Sequence, residues 1–332
     1  MDCVLIRGDG MAAACCAHLL RSAGFRVAIE QLGRAKVPVL MLSDSAIALI
    51  ADVLGRNDLF ADLPRIERRV VAWGQNAEPV VVPHSAAVTS EQSLLDRIHS
   101  AFGSDARPEC AEPQWTIYAA QPLPHPAEER FGSRSASAVP VVFNDSQPPA
   151  ACWIESLENG WLFALPKAPH AGWLLAIGGS VESLLGASRI IASQIDSYGP
   201  PTGEFPAYPR IATPLCGAGW LACGTAAMAF DPLCGDGTAN AIREAILASA
   251  IVRAAADGAP IERLLAHYQR RLIAGLRRHL SLCAEFYHGG GNGTWWESEL
   301  AALHRGVRWC GDELASSERF HYRLNGFTLQ HS

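Results

Sequence analysis

The chain has 332 residues, 49% apolar and 18% charged, with a formal net charge of −6. That is the profile of a globular protein whose core suits one large domain or two interleaved ones. The acidic balance argues against a nucleic-acid partner, and no apolar run reaches membrane length without a charge or a turn, which argues against a membrane one.

Ten cysteines are scattered along the chain, at Cys3, Cys15, Cys16, Cys110, Cys152, Cys216, Cys223, Cys234, Cys283 and Cys310. None forms a Cys-x-x-Cys pair, no metal-ligand spacing stands out, and most lie in apolar runs where a thiol acts as a small hydrophobe. The N-terminus has no signal-peptide pattern, so a reducing cytoplasm is the expected location. Lys36 and Lys167 are the only lysines, which reflects a compositional bias toward arginine.

In chain order, Cys3–Ile6 reads as a short strand running into Gly8-Asp9-Gly10-Met11-Ala12-Ala13, a Gly-x-Gly-x-x-Ala turn. A helix from Met11 to Ala23 and a second strand, Arg26–Glu30, follow. This is the dinucleotide fingerprint in its expected context. Gly8 permits the tight turn and Gly10 lets a pyrophosphate approach the backbone. Ala13 and Ala17 let the helix lie close to the strand. Glu30, 22 residues after Gly8, places a carboxylate where ribose hydroxyls can bond.

Apolar residues from Pro38 to Leu63 recur at helical spacing. Arg68–Trp73 and Pro79–Pro83 read as paired strands, and Ser90–Phe102 as a helix. Trp115–Ala120 is a short strand, and Pro122–Pro126 a loop. Val139–Phe143, Ala151–Leu157, Trp161–Leu165 and Gly172–Ile177 alternate with turn signals, Asn159-Gly160 being the strongest. Trp153, Trp161, Phe163 and Trp173 stud that sheet, as core packing or as walls of a cavity. Glu182–Tyr198 reads as a helix. Trp220–Cys223 reads as a buried strand and Ala241–Ala256 as a long helix. Pro260–Phe286 is helical, His288–Gly293 reads as a flexible loop, Trp295 opens another helix, and Phe320–Leu329 can add a strand.

The most informative stretch lies between that buried strand and the long helix, from Gly224 to Asn240. Gly235 and Gly237 leave backbone N–H groups uncovered at a helix start, where the macrodipole is positive. The stretch Gly224-Thr225-Ala226-Ala227, then Asp231-Pro232-Leu233, then Gly235-Asp236-Gly237-Thr238 resembles the third FAD-binding motif of the p-hydroxybenzoate hydroxylase and tryptophan halogenase superfamily. Thr225 stands where that family usually has aspartate.

The resemblance spans residues 1–290, with the two glycine motifs as its specific parts. It implies an α/β fold. A doubly wound, Rossmann-like FAD-binding domain would comprise residues 1–66, 89–137 and 210–258. Antiparallel substrate-side strands would lie at 67–88 and 138–209, and a C-terminal helical region at 259–332. FAD is the implied cofactor, with NAD(P)H or a separate reductase as electron donor. Asp231 and Pro232 would lie beside the flavin ring, and the amides of Gly235 to Thr238 would face its N1 and O2. The implied chemistry is oxygenation through a flavin hydroperoxide.

Other family features are eroded. Thr89, Ser90 and Glu91 stand where relatives have a cofactor-contacting arginine. Tyr118-Ala119-Ala120-Gln121 replaces the second FAD motif. The halogenases' Trp-x-Trp-x-Ile-Pro survives only as Trp161-x-Phe163-x-Leu165-Pro166, and their catalytic lysine has no counterpart, which weighs against halogenation. His84 and His288 are the histidines nearest the substrate side. Three readings remain. One is a monooxygenase acting on a small aromatic substrate. Another is a flavoprotein oxygenating a tryptophan side chain of a partner protein during quinone-cofactor assembly. The last is a flavin-fold binding protein without catalysis. Oligomeric state is left open.

Overall fold

The computed structural model describes residues 2–102, 110, 112–125, 127–144, 150–316 and 322–331. Expectations for 103–109, 111, Pro126 and Phe320 fall outside the described residues. The chain opens with β1 (Cys3–Arg7), α1 (Met11–Ser22) and β2 (Arg26–Glu30). Then come β3 (Leu40–Ser43), α2 (Asp44–Leu54), β4 (Arg65–Ala72), β5 (Val80–Thr89) and α3 (Glu91–Phe102). β6 (Trp115–Tyr118) and β7 (Glu128–Arg130) lead to β8 (Ser135–Phe143), β9 (Ala151–Leu157), β10 (Gly160–Ala168) and β11 (Ala171–Ile177). The helix α4 (Val181–Ala187) precedes β12 (Ile195–Tyr198), β13 (Glu204–Pro206) and β14 (Arg210–Ala212). The short strands β15 (Cys216–Gly217), β16 (Trp220–Ala222) and β17 (Met228–Ala229) follow. Three long helices, α5 (Gly237–Ala256), α6 (Ile261–Gly290) and α7 (Thr294–Ser316), and the hairpin β18 (Tyr322–Asn325) and β19 (Thr328–His331) complete it.

One sheet has the order β15-β16-β6-β1-β2, with β16, β6, β1 and β2 parallel to one another and β15 antiparallel to β16. Their carboxyl ends share one edge, which is where an open parallel sheet binds ligands. Small residues let α1 and α5 pack closely against each other: the Cys16 thiol reaches the Ala245 carbonyl at 3.7 Å. The second sheet has nine strands, in the order β12-β8-β11-β10-β9-β4-β5-β3 with β13 also on β8. It is antiparallel apart from the β4–β9 pair. The α/β class with a parallel sheet beside an antiparallel one is thus present as the sequence implies.

Three local readings are corrected. Leu40–Ser43 is a strand paired with Ala86–Thr89, not the start of a helix; the helix begins only after Ser43, whose hydroxyl caps Ala46 N–H at 3.2 Å. The helix expected over Glu182–Tyr198 stops at Ala187. There the buried Glu155 carboxylate takes the N–H groups of Arg189, Ile190 and Ile191 and the Ser188 hydroxyl, and Ile195–Tyr198 is drawn onto β8 instead. His288 to Gly290 continue α6 rather than forming a loop. Gly290 is tolerated there because a Cβ would sit 2.3 Å from the Trp296 ring, so the missing side chain makes room for an indole.

Among the four sheet aromatics, Trp153 stacks on Phe143, and Trp161 packs edge-on to Trp73 and donates to the Tyr287 hydroxyl at 3.2 Å. Cys3 and Cys110 are joined in a disulfide, a pairing that their scatter does not announce. Disulfides are uncommon in reducing compartments, so the cysteine chemistry lends no support to the expected cytoplasmic location. No described helix is long and apolar enough to cross a membrane.

The antiparallel sheet, the turn before α5 and the C-terminal helices meet on one buried ion cluster. Arg134, in the loop before β8, is 2% exposed. Its Nε donates to Asp231 Oδ2 at 2.7 Å, and its Nη1 donates to Glu299 on α7. The Tyr287 hydroxyl on α6 donates to the same Asp231 oxygen at 2.8 Å, and the guanidinium lies 4.7 Å from the Tyr287 ring centre. The Ser133 N–H and hydroxyl satisfy the other Glu299 oxygen. Removing one partner of such a cluster leaves a buried, uncompensated charge, which costs roughly 3–5 kcal/mol. Arg134→Leu is therefore expected to lower the unfolding free energy by about that much in urea titrations; a loss under about 1 kcal/mol would show that solvent reaches the cluster.

Candidate functional site

The first half of the site is the turn after β1. Gly8 lies at φ +139°, its N–H donates to the Glu30 carbonyl at 2.9 Å, and a Cβ there would lie 3.1 Å from the Ala119 Cβ. Close backbone contact, as well as turn geometry, therefore requires glycine. Helix α1 starts on Gly10 with no side-chain cap and no acid in its first turn, so its leading N–H groups have no side-chain acceptor. Ala12 and Ala13 are buried beneath it.

Cations converge on this turn from the loop after β2. A Cβ on Gly10 would come 2.7 Å from Arg34 Nη2. Arg34 is held by the buried Glu91, which also accepts the Val37 N–H at 2.9 Å. Lys36 Nζ bonds the Asp9 carbonyl at 2.9 Å and its carboxylate at 2.8 Å. Glu91 thus anchors Arg34 over this turn. Arg34 escaped the sequence reading; the acid at position 91 was its only trace. Glu30 is exposed and bidentate with Arg7, at 2.8 and 2.9 Å, and the hydrogen bond from Arg7 holds its carboxyl below the usual range.

The second half is the stretch before α5. Gly224 lies at φ +57°, and a Cβ there would sit 2.8 Å from the Ala12 Cβ. This contact joins the two glycine motifs at the carboxyl edge of the parallel sheet. Thr225 is exposed, its hydroxyl donating to the Ala119 carbonyl at 3.3 Å. Asp231 is 2% exposed. Its carboxylate is engaged by Arg134, Tyr287 and the Leu233 N–H, and its own N–H donates to His279 Nε2 at 2.9 Å. Its carboxylate thus fixes the loop. Pro232 opens a short 3-10 turn to Cys234, and Gly235 follows at φ +61°. Asp236 precedes α5 without capping it and turns to Arg243 at 2.7 Å. Gly235 and Gly237 are exposed, a Cβ on either would meet nothing within 4 Å, and Thr238 is half-buried beside them. This second helix N-terminus is open too.

A cavity of about 1020 Å³ abuts that helix start. Phe230, Met41, Leu49 and Phe327 supply apolar wall, and Arg69, His84, Arg243 and Arg278 supply charge or hydrogen bonds. His84 lies 3.1 Å from Arg69 Nη2, and burial, then the Arg69 charge, lowers its pKa, so it presents a neutral imidazole. His288 is exposed and does not line the cavity, nor do the four sheet aromatics. Lys36 sits at the phosphate-type turn and Lys167 is exposed on β10; neither reaches the cavity.

The structure also gathers Cys234, His279 and Cys283, whose donor atoms lie within 4.8 Å of one another. No metal-ligand spacing had stood out in the sequence. The signal was there in His279 and Cys283, four residues apart on one helix face, but the third member comes from another element.

No protein-family model matches the sequence, and no curated protein matches it. Solved structures do. The peptidyl tryptophan dihydroxylase QhpG, essential for tryptophylquinone cofactor biogenesis, superposes with a TM-score of 0.71 at 17% identity, over 99% of this chain and 86% of that one. The myxobacterial chondrochloren halogenase CndH, an FAD-dependent enzyme, gives 0.74 at 16%, over 96% and 92%. Klebsiella pneumoniae HpxO, complexed with FAD and uric acid, gives 0.62 at 13%, over 95% and 97%. The fold is therefore that of the FAD-dependent halogenases and monooxygenases.

Glu244 links the site to pH. It is buried on α5, accepts the Gly224 N–H at 2.7 Å through one oxygen, and leaves the other without a hydrogen-bond partner. Burial pushes its carboxyl up to about 8. From the ordinary value of 4.5 to about 8 the folded state holds a proton that the unfolded chain has released, so stability falls as pH rises across that window and is level above it. The slope is at most about 1.4 kcal/mol per pH unit. Melting temperature is expected to drop between pH 6 and 8.5, and Glu244→Gln to flatten that drop; an unchanged slope would assign it to other groups.

Proposed function

We propose that the chain is an FAD-dependent oxidoreductase of the monooxygenase type acting on an aromatic group. The observation that carries this reading is the junction of two open helix N-termini at the carboxyl edge of the parallel sheet, with the second of them bordering the cavity. The residues present fit FAD. Gly8, Gly10 and Ala13 shape the pyrophosphate turn, and Arg34 and Lys36 supply its positive charge. Glu30 offers a carboxylate to ribose in exchange with Arg7. Thr225 would lie toward the ribityl chain, and Asp231 and Pro232 would fix the turn beside the ring. The amides of Gly235, Asp236, Gly237 and Thr238 would face the electron-rich flavin edge. When bound, FAD supplies the activation of oxygen. The chain's own residues position it, wall the substrate with Phe230 and Met41, and offer the Nδ1–H of the neutral His84 as a hydrogen-bond donor, since its Nε2 accepts from Arg69. NAD(P)H or a separate reductase would deliver electrons.

A second reading, oxygenation of a tryptophan side chain on a partner protein, has two specific supports. One is the likeness to QhpG over 99% of this chain. The other is a cavity whose volume reaches the top of the roughly 300–1,000 Å³ range of small-ligand pockets and whose rim carries the exposed Arg271, Arg278 and Leu282. A free aromatic acid and a tryptophan-containing polypeptide, compared for stimulation of NAD(P)H oxidation, separate the two. Flavin binding with stimulation by neither would leave the binding-protein reading.

Reconstitution with FAD should yield bound flavin absorbance. Gly237→Leu tests the placement. Because a Cβ there meets no protein atom within 4 Å, the apo-variant should melt close to the wild type. A ligand at 100 times its Kd adds about 2.7 kcal/mol to stability, and the variant should lose that increment. Equal stabilisation of both proteins by FAD would remove the flavin from this helix. Arg34→Gln should weaken FAD roughly ten- to hundredfold, the value of one charge-assisted hydrogen bond of about 1.5–3 kcal/mol; calorimetry showing normal affinity would return Arg34 to a purely structural role.

A further inference from the structure

Between the cavity and α6 lies a group of side chains that the proposed flavin site does not use. Cys234 ends the 3-10 turn after Pro232 and lines the cavity, half-buried. Cys283 lies fully buried on α6, its sulfur 3.4 Å from that of Cys234 and 3.3 Å from His279 Nε2. A metal ion would need the Nε2 lone pair, but the Asp231 N–H already donates to it at 2.9 Å. Withdrawing it would leave a buried amide unpaired. Simple packing also fits poorly. Burial pushes the Cys216 and Cys310 thiols up to about 12, as it does for ordinary core cysteines. The Cys234 thiol moves the other way, lowered by the hydrogen bond from Cys283 against the pull of burial.

We propose that Cys234 and Cys283 form a peroxide-reactive dithiol, with Cys234 the attacking sulfur and Cys283 the resolving one. The Cys234 thiolate attacks one oxygen of hydrogen peroxide. The O–O bond breaks, a sulfenic acid forms, and the departing hydroxide takes up the proton given by the thiol to become water. The Cys283 sulfur then attacks the Cys234 sulfur. The S–S bond forms, the S–O bond breaks, and hydroxide leaves with the Cys283 proton as a second water. Two thiols lose two electrons and two protons, and one peroxide becomes two waters. The sulfurs must close from 3.4 Å to the roughly 2.05 Å of a disulfide. Asp231 holds the start of the turn at Leu233, so the movement comes from its Cys234–Gly235 end, where Gly235 is exposed and an added Cβ would meet nothing within 4 Å. The bond would pin the cavity wall, and the start of α5, to α6. The oxidant is hydrogen peroxide, and the proposal rests on the flavin reading only for a local source of it.

The test supplies hydrogen peroxide directly, so it does not depend on flavin. The full-length protein, freed of reductant, is treated with one equivalent, quenched with N-ethylmaleimide and mapped by mass spectrometry. The expected product is a Cys234–Cys283 cross-linked peptide lighter by two hydrogens, formed at least about tenfold faster than any oxidation of Cys216, whose thiolate fraction is far smaller. In Cys283→Ser, Cys234 should stop at a sulfenic acid that dimedone traps. Should that variant fail to fold, the wild-type cross-link decides alone. Cys216 oxidising as fast as Cys234, or Cys234 oxidising without the cross-link, would overturn the proposal. So would retention of one equivalent of Zn²⁺ through gel filtration with both thiols protected, which would make the cluster a metal site. A cross-link in a protein that binds no FAD would uphold the dithiol and reject the flavin reading instead.

Discussion

A guanidinium with no exposed side-chain surface, Arg134, is clamped between Asp231 and Glu299. Taking three charges out of water costs several kcal/mol per ion, offset by their mutual attraction and the hydrogen bonds they make, with Arg134 Nη2 held by its 2.6 Å ion pair to Asp231 alone. That requirement is geometric. The loop before β8, the turn before α5, and helices α6 and α7 must all arrive at one point for any of the charges to be tolerated. Asp231 therefore locks the proposed flavin-end turn to the antiparallel sheet and to the C-terminal helices together.

Packing around this cluster joins the antiparallel sheet to the C-terminal helices. Tyr287 reaches Asp231 through its hydroxyl and packs against Trp295 and Trp296 through its ring. Trp73 stands edge-on to Trp161 and Trp296 and donates to the Phe286 carbonyl on α6. Trp73 and Trp161 thus fasten the antiparallel sheet to the helices. The cavity is bounded instead by α5, α6, the tail hairpin and the strands β3 to β5. Two of its polar groups, Arg69 and His84, sit on paired strands, a rigid mount.

The two helix N-termini are open for different reasons. At α1 the first turn holds neither acid nor cap, and the charge beside it comes from Arg34, itself aimed by Glu91. At α5 the capping position is occupied by Asp236, which turns away to Arg243. In both places backbone donors remain available at the positive end of a helix dipole, and the Gly224–Ala12 contact sets the distance between them.

What the sequence determined by itself was local. The fingerprint at Gly8, Gly10 and Ala13, the glycines at 235 and 237, and the long amphipathic helices follow from spacing and backbone freedom within a few residues, and the α/β class follows from their order. Partnerships across the chain were decided only in the tertiary structure. A four-residue segment such as Leu40–Ser43 carries too little periodicity to declare itself a strand until β5 offers its edge. Glu155 ends a helix more than thirty residues away in sequence because burial makes its carboxylate seek N–H groups. Arg134, Arg34 and Cys234 have no neighbours in sequence that reveal their roles, since charge pairing and thiol chemistry depend on distances of a few ångströms between elements that lie 57, 49 and up to 165 residues apart.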